Sequence, residues 1–484
     1  MQKITPGARL PLHDVDQTRR LEQAAALNLP TQTLMQRAGL AVARLALAIA
    51  PHAQRIWVAC GPGNNGGDGL EAALHLQLWG KHCVVTWLGD AQHAPADATA
   101  AYQKLLNAKI PIQRAPSGEF DLCIDALLGL GSQLREPQGL LADWIRQLNS
   151  SGAPVLSVDV PTGLHANTGQ TTLLSVKASH TLSLLTLKPG LFTAQGRDAA
   201  GTIWFDALGL SAPVMTNTEP LAYLNARPAV SSRLHATHKG SYGDVAVVGG
   251  ATGMTGAALL AAIAALHSGA GRVFVALLDD KALSVDTEHP ELMFRTIRSL
   301  NLSNMTVVCG CGGGQTVHSV LNDILSSPAQ VIIDADAINE IAKDSNLQTA
   351  LTARQRHSTI LTPHPLEAAR LLAASTQQIQ NDRLAAAQAL AQRFSCTVVL
   401  KGSGTVITSP GRTPAINITG NARLASAGTG DVLAGMVGAQ LAAGQPAFDA
   451  ACRAVYQHGS LADNWPDDAS LTAHRLAWAS QGRQ

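Results

Sequence analysis

The sequence predicts two consecutive α/β domains, each built on a mainly parallel sheet. Three observations carry that prediction. Short β-branched runs alternate with longer Ala/Leu segments of helical period, the signature of repeated βα units. At 484 residues the chain exceeds what a single ordinary core sustains. The composition, 46% hydrophobic, 14% charged and 4% aromatic, is that of a packed Ala/Leu/Gly-rich protein rather than a disordered or collagen-like chain.

In the first half, strands are predicted at Arg55–Cys60, Val84–Leu88, Asp121–Asp125, Val155–Val160 and Thr181–Leu187, with helices over Gln32–Ile49 and Leu70–Trp79. Periodicity fades in the turn-rich stretch Ser211–Arg227. That places the boundary between a first domain, residues 1–215, and a second, residues 225–484. The second half restarts with strand Asp244–Val248 and continues with Arg272–Leu277, Thr306–Cys309, Val331–Asp334, Thr359–Leu361 and Thr397–Leu400. Its helices include Gly256–Leu266, Asn381–Arg393 and Val432–Leu441. No repeat of 20–50 residues is visible, which argues against a solenoid.

A formal charge of +1 gives no bulk electrostatic reason for a nucleic-acid or membrane partner. The cysteines (Cys60, Cys83, Cys123, Cys309, Cys311, Cys396 and Cys452) are odd in number and scattered through apolar runs. Without paired spacing they read as small buried thiols, not as disulfides or a zinc site. The first twenty residues contain no apolar signal-peptide core, and Ala257–Ala265 is too short to span a bilayer. A cytoplasmic protein is expected.

Strand Arg55–Cys60 ends in Gly61-Pro62-Gly63-Asn64-Asn65-Gly66-Gly67-Asp68-Gly69, and a helix follows. Such a junction aims backbone N–H groups at one spot, where a phosphate is stabilised, and glycines let the backbone come close. Asn64, Asn65 and Asp68 add oxygens for a cation or sugar hydroxyls. The loop has neither the GK[ST] of a P-loop nor the GxGxxG spacing, so neither motif is assigned. Two more strand ends carry the same pattern: Asp125 followed by Gly129-Leu130-Gly131, and Asp159 followed by Pro161-Thr162-Gly163. Carboxylates at the carboxyl ends of parallel strands face the crevice where open α/β sheets bind ligands. One such Asp is more often a cap; three together point to a site.

These residues, LMQRAG (34–39), GPGNNGGDG (61–69), DALLGLG (125–131) and VDVPTGL (158–164), resemble the YjeF N-terminal family of NAD(P)H-hydrate epimerases. The resemblance implies a Rossmann-like three-layer α/β domain. It also implies substrate binding by Asn64, Asn65, Gly66, Gly67 and Asp68, by the loop Gly129, Leu130, Gly131, Ser132, Gln133, Leu134 and Arg135, and by Asp159. A potassium ion is implied on Asn65, Asp125 and Thr162, whose oxygens suit a hard cation. Asp159 is the candidate acid/base. Gln36 stands where the family usually has Glu, outside the site positions.

The second half gathers more chemistry at its strand ends: DVAVVGG (244–250) leading to MTGAA (254–258), DADAIN (334–339), TPHP (362–365), LKGSGT (400–405) and AGTGD (427–431). A helix opening at Asp431 after Gly428-Thr429-Gly430 offers free N–H donors and a positive end to a transferring phosphoryl group. Asp431 is then placed to accept a proton from a substrate hydroxyl. From GTGD alone, a plain helix cap is equally good. The set HKGSYGDVAVVGG, MTGAA, DADAIN, LTPHPLEAARLL, LKGSGTVI and LASAGTGDVLAGM resembles the ribokinase-like fold. Within it, the set is similar to the YjeF C-terminal family of ADP-dependent (S)-NAD(P)H-hydrate dehydratases.

That resemblance implies that Lys401, Gly402, Ser403, Gly404, Thr405 and Gly430 line the adenine nucleotide, and that Ala257, Gly312, His364 and Asp431 contact the hydrated nicotinamide. By itself His364 reads as a structural turn histidine. Cys311 and Gly313 stand where the family commonly has Pro and Leu, and the extra glycine predicts a looser loop around Gly312.

Both resemblances in this order imply a bifunctional NAD(P)H-hydrate repair enzyme. It would epimerise R and S hydrates of NADH or NADPH and dehydrate the S form with ADP and Mg2+, giving AMP and phosphate. A homo-oligomer is expected. A ribokinase-like kinase of a small alcohol would explain GTGD equally well, but neither the first half nor KGSGT. A non-catalytic nucleotide sensor is opposed by the intact Asn65, Asp125 and Asp159.

Overall fold

The computed structural model describes residues 1–130, 135–210, 219–229, 235–282 and 284–480. The chain divides into two compact units, Met1–Thr5 with Leu10–Ala222, and Pro6–Arg9 with Tyr223–Gln484. The break falls inside the aperiodic Ser211–Arg227, but the Pro6–Arg9 segment belongs to the second unit. Its parallel bridge between Gly7 and Ala226 leaves no hydrophobic periodicity to read.

The first unit carries an eight-stranded sheet in the order Gln2–Lys3, Thr202–Asp206, His180–Leu184, Val155–Val158, Leu122–Ala126, Arg55–Cys60, His82–Trp87 and Ile112–Gln113. All neighbours are parallel except the Gln2–Lys3 edge. Alternation along one strand shows the layering. Ile56, Val58 and Cys60 pack with helices Thr33–Ile49 and Asn64–Leu78. Trp57 and Ala59 pack with Trp144, Ile145 and Leu148 of helix Gly139–Ser150. Helices cover both faces, as a near-continuous apolar strand requires. This is the Rossmann-like three-layer arrangement.

Helix Asn64–Leu78 corrects the expectation of a loop through Gly69. Only Gly61–Gly63 is irregular, so Asn64–Asp68 form the first helical turn. The glycines serve packing. A Cβ on Gly66 would stand 2.0 Å from the Gly61 carbonyl oxygen, and one on Gly67 would stand 2.5 Å from Met35 Sδ. Close tertiary packing here outweighs the poor helix propensity of glycine.

In the second unit the strands run Met293–Phe294, Arg272–Leu277, Asp244–Gly249, Thr306–Cys309, Gln330–Ile333, Thr359–Leu361, Thr397–Leu400, Thr405–Ser409, Arg412–Asn417 and Ala222–Leu224. The centre is parallel; Thr405–Ser409 is antiparallel to both neighbours. Val245 and Val247 face a core shared with helices Thr255–His267, Thr429–Ala442, Ala447–Asp463 and Ala473–Ala479. This unit is the ribokinase-like α/β domain. The predicted helix Asn381–Arg393 is broken: Thr376–Asn381 ends, and Asp382 caps Arg383–Phe394 by accepting from the Ala385 N–H at 2.9 Å. All seven cysteines are free thiols, six of them buried. No described helix is long and apolar enough to cross a membrane.

Candidate functional site

In the first unit a cavity of about 570 Å³ opens at the carboxyl ends of the central strands. Asn64, Asn65, Asp68, Gly129, Leu130 and Asp159 all line it, so the first glycine stretch and the two strand-end loops do converge. Gly131, Ser132, Gln133 and Leu134 lie outside the described residues. Arg135 is exposed, and so is Gln36 on helix Thr33–Ile49. Gly66 and Gly67 are buried in packing, not presented to the cavity.

Asp125, at the end of Leu122–Ala126, is fully buried. It accepts from Ser157 Oγ at 2.8 Å, Thr162 Oγ1 at 2.7 Å and the Thr162 N–H at 2.9 Å. These partners are all neutral. Burial pushes its pKa up and the hydrogen bonds pull against that. Asn65 Nδ2 is buried without a partner, and a Cβ on Gly129 would stand 3.1 Å from the Asn65 Oδ1. Rotating that amide would present its oxygen instead. A buried carboxylate with neutral partners, beside a turnable amide, fits a hard cation.

Asp159 has a left-handed φ of 67°, a conformation that L side chains adopt only where the surroundings enforce it. Its Oδ1 accepts the Leu184 N–H at 3.1 Å and a hydrogen bond from Lys188 Nζ. Lys188 is fully buried; sequence reasoning missed it because LTLKPGL looks like an ordinary strand end. Asp68 is held well above the carboxylate range, first by burial and then by the charges of Asp159 and Glu22. Glu22, a cavity residue from helix Val15–Ala26, was also missed and is raised by burial and by Asp159.

In the second unit the helix bearing Asp431 begins earlier than expected, at Thr429, with Gly428 as its N-cap at φ 88°. Asp431 therefore sits in the first turn and is not the cap, which removes the plain capping explanation. The N–H groups of Gly430 and Asp431 have no recorded backbone acceptor among the described residues, whereas Val432 donates to Gly428 at 3.1 Å. Two contacts fix the entrance. A Cβ on Gly435 would stand 2.0 Å from the Ala261 carbonyl oxygen, so this helix rides directly on Thr255–His267. His458 Nε2 bonds the Thr429 carbonyl at 2.9 Å, and burial lowers that imidazole to about 4, so it stays neutral.

Around Asp431 the chain gathers Cys311, Asp334 and Lys401. One ligand atom each of Cys311, Asp334 and Asp431 lies within 4.8 Å of the others. Lys401 Nζ bonds Asp334 Oδ1 at 2.6 Å, and Thr362 Oγ1 donates to the same oxygen at 2.7 Å. The Lys401 ammonium lies 3.5 Å from where a Cβ on Gly430 would stand. The KGSGT segment and the helix entrance thus face each other. Asp431 is pushed up to about 7, chiefly by burial and next by Asp334; a hydrogen bond with Cys311 and the charge of Lys401 oppose this.

The Lys401–Thr405 loop is braced by Arg383, 1% exposed, which donates to the carbonyls of Leu400 and Lys401 at 3.1 Å each. Gly402 and Gly404 take φ of 135° and 65°, and Ser403 is exposed. Arg383 was missed because it reads as one more polar residue of a helix. Ala257 and Gly312 meet: a Cβ on Gly312 would stand 2.8 Å from the Ala257 Cβ. The looser loop expected there is not found. Gly310, Gly312 and Gly314 all take positive φ, and Gly250 N–H and Ala251 N–H bond the carbonyls of Cys311 and Gly312 at 2.9 and 2.7 Å. His364 caps helix Pro365–Leu372: its Nδ1 accepts from the Leu366 N–H at 3.1 Å, and Nε2 lies 3.1 Å from Glu367 Oε1. Its structural job is thus explicit. Burial raises Glu367 to about 7.

Two family models match the chain in order. The YjeF-related protein N-terminus matches residues 31–190, and the NAD(P)H-hydrate dehydratase model matches residues 245–481. The bifunctional NAD(P)H-hydrate repair enzyme Nnr of Escherichia coli (strain K12) is 35% identical, covering 93% of this chain and 88% of that protein. Its Vibrio cholerae counterpart is 37% identical over 96% and 95%. The ADP-dependent (S)-NAD(P)H-hydrate dehydratase of Neisseria meningitidis is 42% identical over 51% of this chain and 85% of that protein. With both sites carried on one chain in this order, the protein belongs to the family of bifunctional NAD(P)H-hydrate repair enzymes.

Proposed function

We propose that the second unit dehydrates the S hydrate of NADH or NADPH with ADP, through Asp431, while the first unit interconverts the R and S hydrates through Asp159. The observation that carries this reading is the juxtaposition of Asp431, the free N–H groups of its helix turn and Lys401. A nucleophile activator, an anion cradle and a cation for a phosphate chain meet there.

The chemistry follows from leaving-group ability. Hydroxide leaves poorly; phosphate leaves well. Asp431 takes the proton of the ring hydroxyl, whose oxygen attacks the β-phosphorus of ADP, and AMP departs. The phosphate ester then leaves the ring carbon, driven by the lone pair of the ring nitrogen, and loss of a ring proton restores NAD(P)H. The Gly430 and Asp431 amides stabilise charge on the transferring group. Lys401 and the Arg383-braced loop hold the nucleotide, with Gly402, Ser403, Gly404 and Thr405 along it. Mg2+ bound with ADP would offset diphosphate charge. Ala257 and Gly312 form an apolar wall for the ring. His364 reaches it only from its capping position.

In the first unit Asp159 takes the ring hydroxyl proton as the adjacent C–N bond opens to an aldehyde, and passes it to the ring nitrogen. Re-closure on the other face of the aldehyde reverses both transfers and inverts the carbon, while Asn64, Asn65, Asp68, Gly129 and Leu130 enclose the substrate. A potassium ion on Asn65, Asp125 and Thr162 would compensate the buried Asp125 charge and brace two of the three strand-end loops. A cytoplasmic homo-oligomer is the form in which we expect the enzyme to act.

The test is to incubate the chain with mixed R and S NADH hydrate, ADP and Mg2+. Recovery of dihydronicotinamide absorbance from both epimers is the expected result. Recovery limited to the S fraction removes the epimerase assignment; no recovery, or a stable phosphorylated product, removes the dehydratase assignment.

A further inference from the structure

Lys188 is a lysine with no exposed surface, set behind a cavity whose charged lining residues are mostly acidic. An ammonium in such a place costs several kcal/mol unless it is paired and its protons are satisfied. Here they are. Nζ donates to Asp159 Oδ1, to the Leu184 carbonyl at 2.7 Å and to Ser183 Oγ at 3.5 Å. Ser183 and Leu184 lie on strand His180–Leu184, which pairs with the strand Val155–Val158 that leads into Asp159.

Both recorded hydrogen bonds to the Asp159 carboxylate, from Lys188 and from the Leu184 N–H, go to Oδ1. Asp159 nonetheless lines the cavity. One oxygen is therefore clamped from behind and the other is left to the substrate. Without that clamp the carboxylate would face the acidic side chains of Asp68, Glu22 and Asp97, with Arg19 as the one cation among the lining residues to offset them.

We infer that Lys188 is a positioning residue of the epimerase site: from behind the cavity it clamps Oδ1 of Asp159, so that Oδ2 is presented to the hydrated ring as the proton acceptor. This rests on the epimerase reading of the first unit. The groups acting on the Lys188 charge are Asp159, Glu22 and His13. Burial lowers the Lys188 pKa below the usual lysine range, against the pull of Asp159 and then Glu22. Loss of its proton at alkaline pH unclamps Asp159, so epimerisation falls off there sooner than an ordinary lysine would make it.

The experiment uses the full chain as wild type, Lys188→Met and Lys188→Arg. Conversion of the R hydrate is followed across pH, and consumption of pure S hydrate with ADP in the same preparations reports that the second unit is intact. The thermal unfolding transition of the first unit in each variant reports whether that unit has folded. Lys188→Met should lower kcat for epimerisation about 100-fold with little change in KM, while S-hydrate consumption stays at the wild-type rate. Lys188→Arg should recover about tenfold of that loss and shift the alkaline fall beyond the measurable range, because arginine keeps its charge. A Met variant within about threefold of wild type with an unchanged pH profile overturns the inference. So does a folded Arg variant that keeps no more than about a hundredth of the wild-type kcat, an outcome that decides the matter even where Met fails to fold. A wild-type chain that does not convert R to S defeats the parent reading itself; wild-type conversion with an unaffected Met variant defeats the role of Lys188 alone.

Discussion

The two units solve opposite electrostatic problems with the same residue type. Asp159 in the first unit has its lysine attached directly, so its charge is compensated at the carboxylate. Asp431 in the second unit has a lysine nearby, but that lysine is bound to Asp334, and Asp431 is left at about 7 by burial and by the Asp334 charge. The difference teaches that a cation in a site is not evidence of an ionised neighbour; its hydrogen-bond partner decides. A clamped carboxylate suits repeated proton exchange in either direction. One that titrates near neutrality suits a single proton abstraction, since a base matched to ambient pH combines availability with driving force.

The comparison predicts that the two sites can be broken separately. Asp431→Asn should reduce dehydration of the S hydrate by about 10³-fold while R-to-S conversion continues, measured by adding each pure epimer in turn. Asp159→Asn should do the reverse, slowing epimerisation about 10²-fold and sparing S-hydrate dehydration. Arg383→Met should loosen the Lys401–Thr405 loop and raise the KM for ADP about tenfold with kcat nearly unchanged, seen by varying ADP at saturating hydrate.

Asp431 also leaves a mark on stability. Its folded pKa of about 7 lies above the usual aspartate value of 3.8, so folding favours the protonated form. Ionisation therefore subtracts stability as pH rises between those values, and the whole penalty is present above neutral pH. Asp431→Asn should raise the melting temperature of the second unit by roughly 2–4 °C at alkaline pH, with the gain shrinking toward acid, in a calorimetric pH series.

Much of this was legible in the sequence. Five of the eleven predicted strands coincide with the observed ones, Arg272–Leu277 and Thr397–Leu400 among them, because β-branched runs bounded by glycine and polar residues leave little ambiguity. The Asp-bearing strand ends were readable because parallel topology sends their carboxyl ends to one edge. The glycines of Gly61–Gly69 misled for a physical reason: their small size serves helix packing as well as ligand approach, and pattern alone does not separate the two. Lys188, Arg383 and Asp334 matter through partners 29, 17 and 67 residues away, separations that no local signal encodes. Tuning was equally hidden. GTGD announces an aspartate at a helix entrance, but only the burial of Asp431 and the Lys401–Asp334 pairing set its proton affinity.

The most direct test of that tuning is the pH dependence of S-hydrate dehydration in the wild type and in Asp334→Asn. The wild-type rate should climb as Asp431 loses its proton around pH 7. With the Asp334 charge gone and Lys401 released toward Asp431, the climb should move to lower pH. Coincident profiles, or a shift to higher pH, would contradict the claim that Asp334 and its captive lysine set the proton affinity of Asp431.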